Sequence, residues 1–286
     1  MFSNIMGSNK ITENISYYAN LANKILTSKI EGEQYLDDKE IISILYTSTE
    51  WKLQNYKNNK DRQKLKIRLT LVDSYYSTNV ASKRYNGIND IIDRICMISN
   101  SDNELIDKFK MFLDDIKETN EIGQLFNGLY GWTKTHSDGL KAISLISKFA
   151  YFLTEFSFPI IDKYVSSYHT RLFKEFKKND DFSTKELPKN NSDLSIFRRI
   201  KVLNKPIQNF DKLDNLLWLI GKLANNNFSL ILNKKVHKTF FNKIEKKPGK
   251  ILSKIIYRDD ILNWNIFSEP MIEFIKFVKI LIPEER

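Results

Sequence analysis

Turn-making residues are scarce in this chain: 9 glycines and 6 prolines punctuate 286 residues. A sheet protein of that length needs many tight turns, and those turns draw on glycine and proline for their backbone geometry. The scarcity therefore predicts an all-α chain whose helices are joined by short polar loops. Periodicity agrees. Ile15, Tyr18, Leu21, Ala22 and Ile25 fall on one face of a helix over 11–27. Asp37 or Asp38 is placed to cap a helix over 39–46, and further helices are expected over 87–99 and from Asp102 to about Lys117. Residues 122–135 read as looser, with Gly123, Gly128 and Gly131 among Phe126, Tyr130 and Trp132. With 42% hydrophobic and 28% charged residues, the chain has material for a sizeable core, in one large domain or two joined lobes.

Charge is distributed unevenly. The formal net charge of +10 arises wholly in residues 171–286, whereas residues 1–170 sum to zero. Basic surface confined to one part of a chain is the footprint of a phosphate-backbone binder; the alternative is a basic face that only keeps the protein soluble. Several other classes find no support. Cys96 is the one cysteine, which rules out a disulfide framework and reads as a small buried hydrophobe. His136, His169 and His237 are far apart in sequence, so no metal pattern is present and no metal or other cofactor is expected. No Gly-Lys-Ser/Thr phosphate loop or Gly-x-Ser-x-Gly elbow occurs. No apolar run is long enough to span a bilayer, and Met1 to Lys10 is polar, so a cytoplasmic protein without a membrane partner is expected.

The segment that bears on chemistry follows a polar turn, His136-Ser137-Asp138-Gly139. From Leu140 an apolar helix is predicted to run to about Phe156. Phe158-Pro159-Ile160-Ile161-Asp162 then breaks it, because Pro159 cannot continue a helix and pushes the residue before it to extended geometry. Asp162 is placed to N-cap the next helix, through Val165 to Phe176. Lys141 precedes Asp162 by 21 residues and Lys148 by 7. After a polar loop over 177–193, a helix carrying Leu216, Leu217, Trp218 and Ile220 is expected to end at Gly221.

Gly139-Leu140-Lys141 before an apolar helix, followed by Pro159-Ile160-Ile161-Asp162, resembles the helix-hairpin-helix DNA glycosylase superfamily, and most nearly its archaeal 8-oxoguanine glycosylase-like branch. There a second lysine follows the first, as Lys148 follows Lys141. Tyr76-Ser77-Thr78-Asn79, Ser147-Lys148-Phe149 with Phe158 to Asp162, and Leu213-Asp214 with Leu217-Trp218 and Gly221-Lys222 are also similar to a little-characterised bacterial family with the same fold and genome-defence contexts. The likeness covers roughly 65–225.

The resemblance implies a two-lobed, all-α helix-hairpin-helix glycosylase-like fold with its site between the lobes. N-terminal helices (1–60) would pack on a glycosylase-like core (61–225), and a basic helical extension (226–286) would follow. It implies excision of a damaged or modified base, such as a hypermodified phage cytosine, from double-stranded DNA by a monomeric enzyme without a cofactor. Asp162 would stabilise the cationic sugar, and Lys141 or Lys148 would be the nucleophilic lysine. Tyr75, Tyr76, Ser77, Asn79 and Trp132 would line the base pocket or touch the duplex. Ser137 and Gly139 of the hairpin, and Lys234, Lys235 and Lys238 of the tail, would bind phosphate. The hairpin has one glycine where the superfamily motif has two, which favours the competing reading of a DNA-binding adaptor that kept the fold without the chemistry. A helical RNA-binding protein is a third reading.

Overall fold

Asn14, Asn58, Ser101, Asn120, Asn209 and Ser268 each accept a hydrogen bond from a backbone N–H in the first turn of a helix, satisfying donors that a helix start leaves without an internal partner. The computed structural model in which they do so describes residues 11, 13–28, 33–133, 139–177, 194–225, 235–236, 238–239 and 266–283. In chain order the helices are α1 (Ile15–Leu26), α2 (Glu33–Thr47), a 3-10 turn (Thr49–Trp51), α3 (Asn59–Tyr75), α4 (Val80–Lys83), α5 (Gly87–Ile98) and α6 (Asp102–Asp114). They continue with α7 (Glu121–Asn127), α8 (Ile143–Leu153), α9 (Lys163–Lys177), α10 (Ser195–Asn204), α11 (Phe210–Ala224) and α12 (Glu269–Leu281). Extended pairing among the described residues is limited to two isolated antiparallel bridges, Tyr85 with Trp132 and Tyr130 with Leu140. The protein is all-α, and no helix among the described residues is long and apolar enough to cross a membrane.

The helices pack in two groups that share one core. α1 lies against α11 and α12, and α9 lies against α10 and α11; on the other side α3 packs on α5 and α8, α2 on α8, and α6 on α7 and α8. α8 is the central element. Every residue from Leu145 to Leu153 is buried, Ser147 and Lys148 included. A helix buried on all sides has no solvent face to spare for a lysine.

Several helix boundaries differ from the sequence expectation. α2 begins at Glu33, so Asp37 and Asp38 lie inside it and not at its cap. Residues 121–127 form a helix because Asn120 caps them at Gly123. α8 runs from Ile143 to Leu153 and not from Leu140 to Phe156. It stops early because Glu155 (φ 51°) and Phe156 (φ 67°) turn left-handed, and the Phe156 N–H reaches back to the Tyr151 carbonyl. α11 passes through Gly221 instead of ending there. A Cβ at Gly221 would fall 2.2 Å from the Tyr164 ring, so the glycine permits the close approach of α9 and α11.

The break after α8 is pinned from both sides. Phe158 is fully buried among Phe109, Phe112, Phe126 and Phe197, with ring centroids 5.1–6.3 Å away. The Ser147 hydroxyl donates to the Ile161 carbonyl (3.4 Å) and accepts from the Ile161 N–H (2.9 Å). This anchoring sets where Asp162 sits. Phe158→Ala should therefore cost about 3–5 kcal/mol of stability, by opening a cavity in a close-packed aromatic cluster. Chemical denaturation of the two proteins checks this; a loss well under 1 kcal/mol would show that the cluster does not hold the break in place.

Candidate active site

Asp162 caps α9 as expected. Its Oδ1 accepts from the backbone N–H groups of Tyr164 (2.8 Å) and Val165 (2.9 Å), and its carbonyl accepts the first helical bond, from Ser166. The half-buried carboxylate lies in a cleft of about 500 Å³, bounded by the approach to α8 (Lys141, Ile143, Ser144), by α9 (Lys163, Ser166, His169) and by α10 (Ser195, Ile196, Arg199). The cleft thus opens where the two helix groups meet.

Lys148 lies behind this cleft and is only 4% exposed. Its Nζ donates to Ser144 Oγ (3.0 Å), a residue that also lines the cleft, and sits 5.1 Å from the centroid of the Tyr76 ring. Burial holds the ammonium below the ordinary lysine range, while the negative charges of Asp162 and Asp214 pull the other way.

Asp214, on α11, is buried and interacts with two buried lysines, Lys39 and Lys148. Lys39 of α2 reaches it at 3.5 Å and Asp211 at 2.9 Å, and also donates to the Tyr151 hydroxyl (3.1 Å) and Asn215 Oδ1 (3.2 Å). The Tyr151 hydroxyl donates in turn to Asp211. Burial pushes the Asp214 carboxyl up to about 6; Lys39 and Lys148 oppose that shift, and Asp162 and Asp211 add to it. Burial also raises Asp211, but Lys39 and the Tyr151 hydroxyl outweigh it and hold that group below the usual carboxylate range.

The expected site residues divide into three sets. Asp162, Lys148 and Tyr76 come together, and Lys141 shares the cleft with Asp162. Lys141 is exposed, donates to Asn127 Oδ1 (3.3 Å) and precedes α8 instead of opening it, with Ala142 at the cap position. A second cavity of about 220 Å³ joins Lys141 to Thr78, Asn79 and Arg84. Asn79 is left-handed (φ 62°) and donates to the Ser77 carbonyl, while buried Asp73 receives the Val80 and Ala81 N–H groups (both 2.7 Å) at the start of α4.

Tyr75, Ser77 and Trp132 are exposed, and none of them lines either cavity. Trp132 pairs with Tyr85 through its backbone, and Tyr130 bridges Leu140 between α7 and α8. At Gly139 a Cβ would lie 2.6 Å from the Tyr130 nitrogen, so only glycine fits that crossing. Ser137 and Lys234 lie outside the described residues; Lys235 and Lys238 are exposed, and neither lines the cleft.

Sequence reasoning did not single out Lys39, Ser144, Tyr151, Asp211, Asn215, His169 or Arg199 as site residues. The one available signal was a charged residue inside an apolar helix, as with Asp214 beside Leu213, Leu216 and Leu217. No protein-family model, curated protein or solved structure matches the chain.

The raised Asp214 group makes a signed forecast. A carboxyl whose folded pKa lies above its unfolded value of about 3.9 contributes stability at low pH, which is lost as pH rises through about 6. Asp214→Asn removes that titration. The melting temperature of the variant relative to wild type should therefore be higher at about pH 8 than at about pH 5, by the equivalent of on the order of 1 kcal/mol. Equal differences at the two pH values would mean that Asp214 ionises as it does in water.

Proposed function

We propose that this protein is a DNA glycosylase with a helix-hairpin-helix type of core, removing a modified base by cleavage of the N-glycosidic bond. The observation that carries the reading is the carboxylate of Asp162, fixed by two backbone N–H groups in an open cleft, with a buried, desolvated lysine in its field that bonds Ser144 of the same cleft. The proline break before α9 supports it, because it is one of the elements on which the resemblance rests.

In this mechanism the target nucleotide leaves the stack and enters the cleft. As the bond from C1′ to the base nitrogen breaks, positive charge grows on the sugar, and the Asp162 carboxylate stabilises it. Lys148 is the better candidate for the nucleophilic lysine. Desolvation favours its neutral amine, whereas Lys141 is exposed. Attack on C1′ would link the lysine to the sugar as the base departs with a proton, and collapse to a Schiff base would open the way to strand cleavage. Resemblance to the defence-associated family makes a hypermodified base of foreign DNA the first substrate to try.

The near-complete burial of Lys148 also fits an adaptor that binds DNA without reacting, and the same measurements separate the two readings. Asp162→Asn keeps the cap, since asparagine caps a helix about as well as aspartate. Melting temperature and DNA affinity should hold to within roughly 1 kcal/mol, while single-turnover base release falls on the order of 100-fold or more. Wild-type release by this variant on modified phage DNA would end the proposed chemistry, and wild-type binding with no abasic sites formed would favour the adaptor.

Borohydride should trap wild type on the same DNA, and Lys148→Gln should abolish the adduct while Lys141→Gln keeps it. Loss of trapping only in Lys141→Gln would reverse the assignment of the two lysines. Base release without any trapping would show that neither lysine acts as the nucleophile.

A further inference from the structure

The wall of the cleft formed by α9 and α10 carries an arrangement that neither the carboxylate nor the lysine chemistry uses. His169 is only 5% exposed. Its Nδ1 lies 2.8 Å from the carbonyl of Val165, one turn back in α9, and a carbonyl can only accept, so the proton sits on Nδ1. Nε2 is then left as an acceptor, which the Thr170 hydroxyl (3.1 Å) and Arg199 Nη1 (3.3 Å) share as donors. Burial pushes the imidazole below its ordinary range, and Arg199 adds to that shift, both of which favour the neutral ring this bonding requires. An arginine with a single N–H fixed by a neutral acceptor keeps its full charge and its other donors.

Arg199 shares the cleft with Lys141 and Lys163, so three cations stand against the carboxylate of Asp162. The first residues of α10, Ser195 and Ile196, lie on the same wall, and the dipole of that helix adds positive potential. A structural link between two helices does not need an arginine that opens onto a cleft. Arg198, its neighbour, shows the structural use of the same side chain: it donates to the Ile116 carbonyl at the end of α6 (2.7 Å).

We propose that Arg199, positioned by neutral His169, forms with Lys141 and Lys163 a subsite for one backbone phosphate of the strand whose nucleotide occupies the cleft. The proposal rests on the nucleic-acid reading above and places a phosphate contact away from both the hairpin tip and the basic tail. The planar guanidinium suits the two unesterified oxygens of a phosphodiester, and holding it in place beforehand reduces the ordering cost of binding.

The test uses the full-length protein and a fluorescent duplex, with affinity measured across a range of salt concentrations. Arg199→Gln should flatten the slope of log affinity against log salt by about 1, the signature of one lost phosphate contact, without lowering the melting temperature. His169→Leu should reproduce most of that loss, His169→Gln should retain the contact through its amide oxygen, and the His169→Leu/Arg199→Gln double variant should be no worse than Arg199→Gln alone. A scan of single neutral methylphosphonate linkages should find one position that weakens wild type and leaves Arg199→Gln unaffected. Should Arg199→Gln melt early, Arg199→Lys preserves the charge, and a smaller penalty at that same linkage still supports the subsite. An unchanged salt slope in Arg199→Gln, or a scan without any linkage coupled to Arg199, overturns the subsite and leaves the DNA reading standing. Failure of wild type to bind any duplex removes both.

Discussion

An ammonium group inside a fully buried helix has to be compensated, and Lys148 imposes that requirement on the elements around it. Every residue of α8 from Leu145 onward is buried, and Lys148 is linked to the cleft through Ser144 at the start of the helix. Desolvating a charge costs several kcal/mol unless partners offset it. The partners come from three directions: Ser144 one turn back in α8, the Tyr76 ring beyond the end of α3, and the field of Asp162 and Asp214 from α9 and α11. Burying Asp214 creates a further demand, which Lys39 meets from α2 by contacting it and Asp211 together. The polar interior thus ties together helices that lie far apart in sequence. A purely apolar replacement of such a cluster is often as stable or more so, so stability alone does not account for it.

Arg68 and Asp102 show what a structural ion pair looks like in the same protein. Both are buried, with contacts of 2.9 and 3.0 Å. The guanidinium also donates to the carbonyls of Leu45 and Trp51 and lies over the Tyr46 ring, while Asp102 accepts from the Leu53 N–H and the Tyr56 hydroxyl. These bonds join α2, the 3-10 turn, α3 and α6, and neither residue lines a described cavity. The pair is closed around backbone groups. The cluster behind the cleft differs because Ser144 and Asp162 connect it to open space.

Local chemistry was legible in the sequence and long-range pairing was not. The cap at Asp162 could be read because Pro159 forces a break and aspartate caps the next helix, both effects of immediate neighbours. Helical class, α5 and the start of α6 were legible for the same kind of reason. The reading of α7 failed because its glycines outweighed the cap at Asn120, and the end of α8 was overrun because two non-glycine residues adopt left-handed geometry. Gly221 looked like a stop signal, although its purpose is contact with a ring 57 residues away. Lys39, Asp211 and Asp214 pair across about the same span that separates α2 from α11, and Arg199 meets His169 across 30 residues. Without a structure, Lys39, Asp211 and Arg199 cannot be told from solvated charges on a helix face, and Asp214 stands out only by its apolar neighbours.

In the proposed mechanism Asp162 would serve both the fold and the reaction, and its position allows this. Both cap bonds end on Oδ1, which fixes the orientation of the carboxylate without engaging Oδ2. The bonds come from the positive end of α9 and leave the charge of the carboxylate in place. A salt bridge would orient the group equally well but would neutralise the field it projects into the cleft. A helix start built on a proline break, and held by Phe158 and Ser147, is therefore a means of presenting a negative charge at a fixed point with little reorganisation. That is the property an electrostatic contact needs if it is to act on charge that develops only transiently.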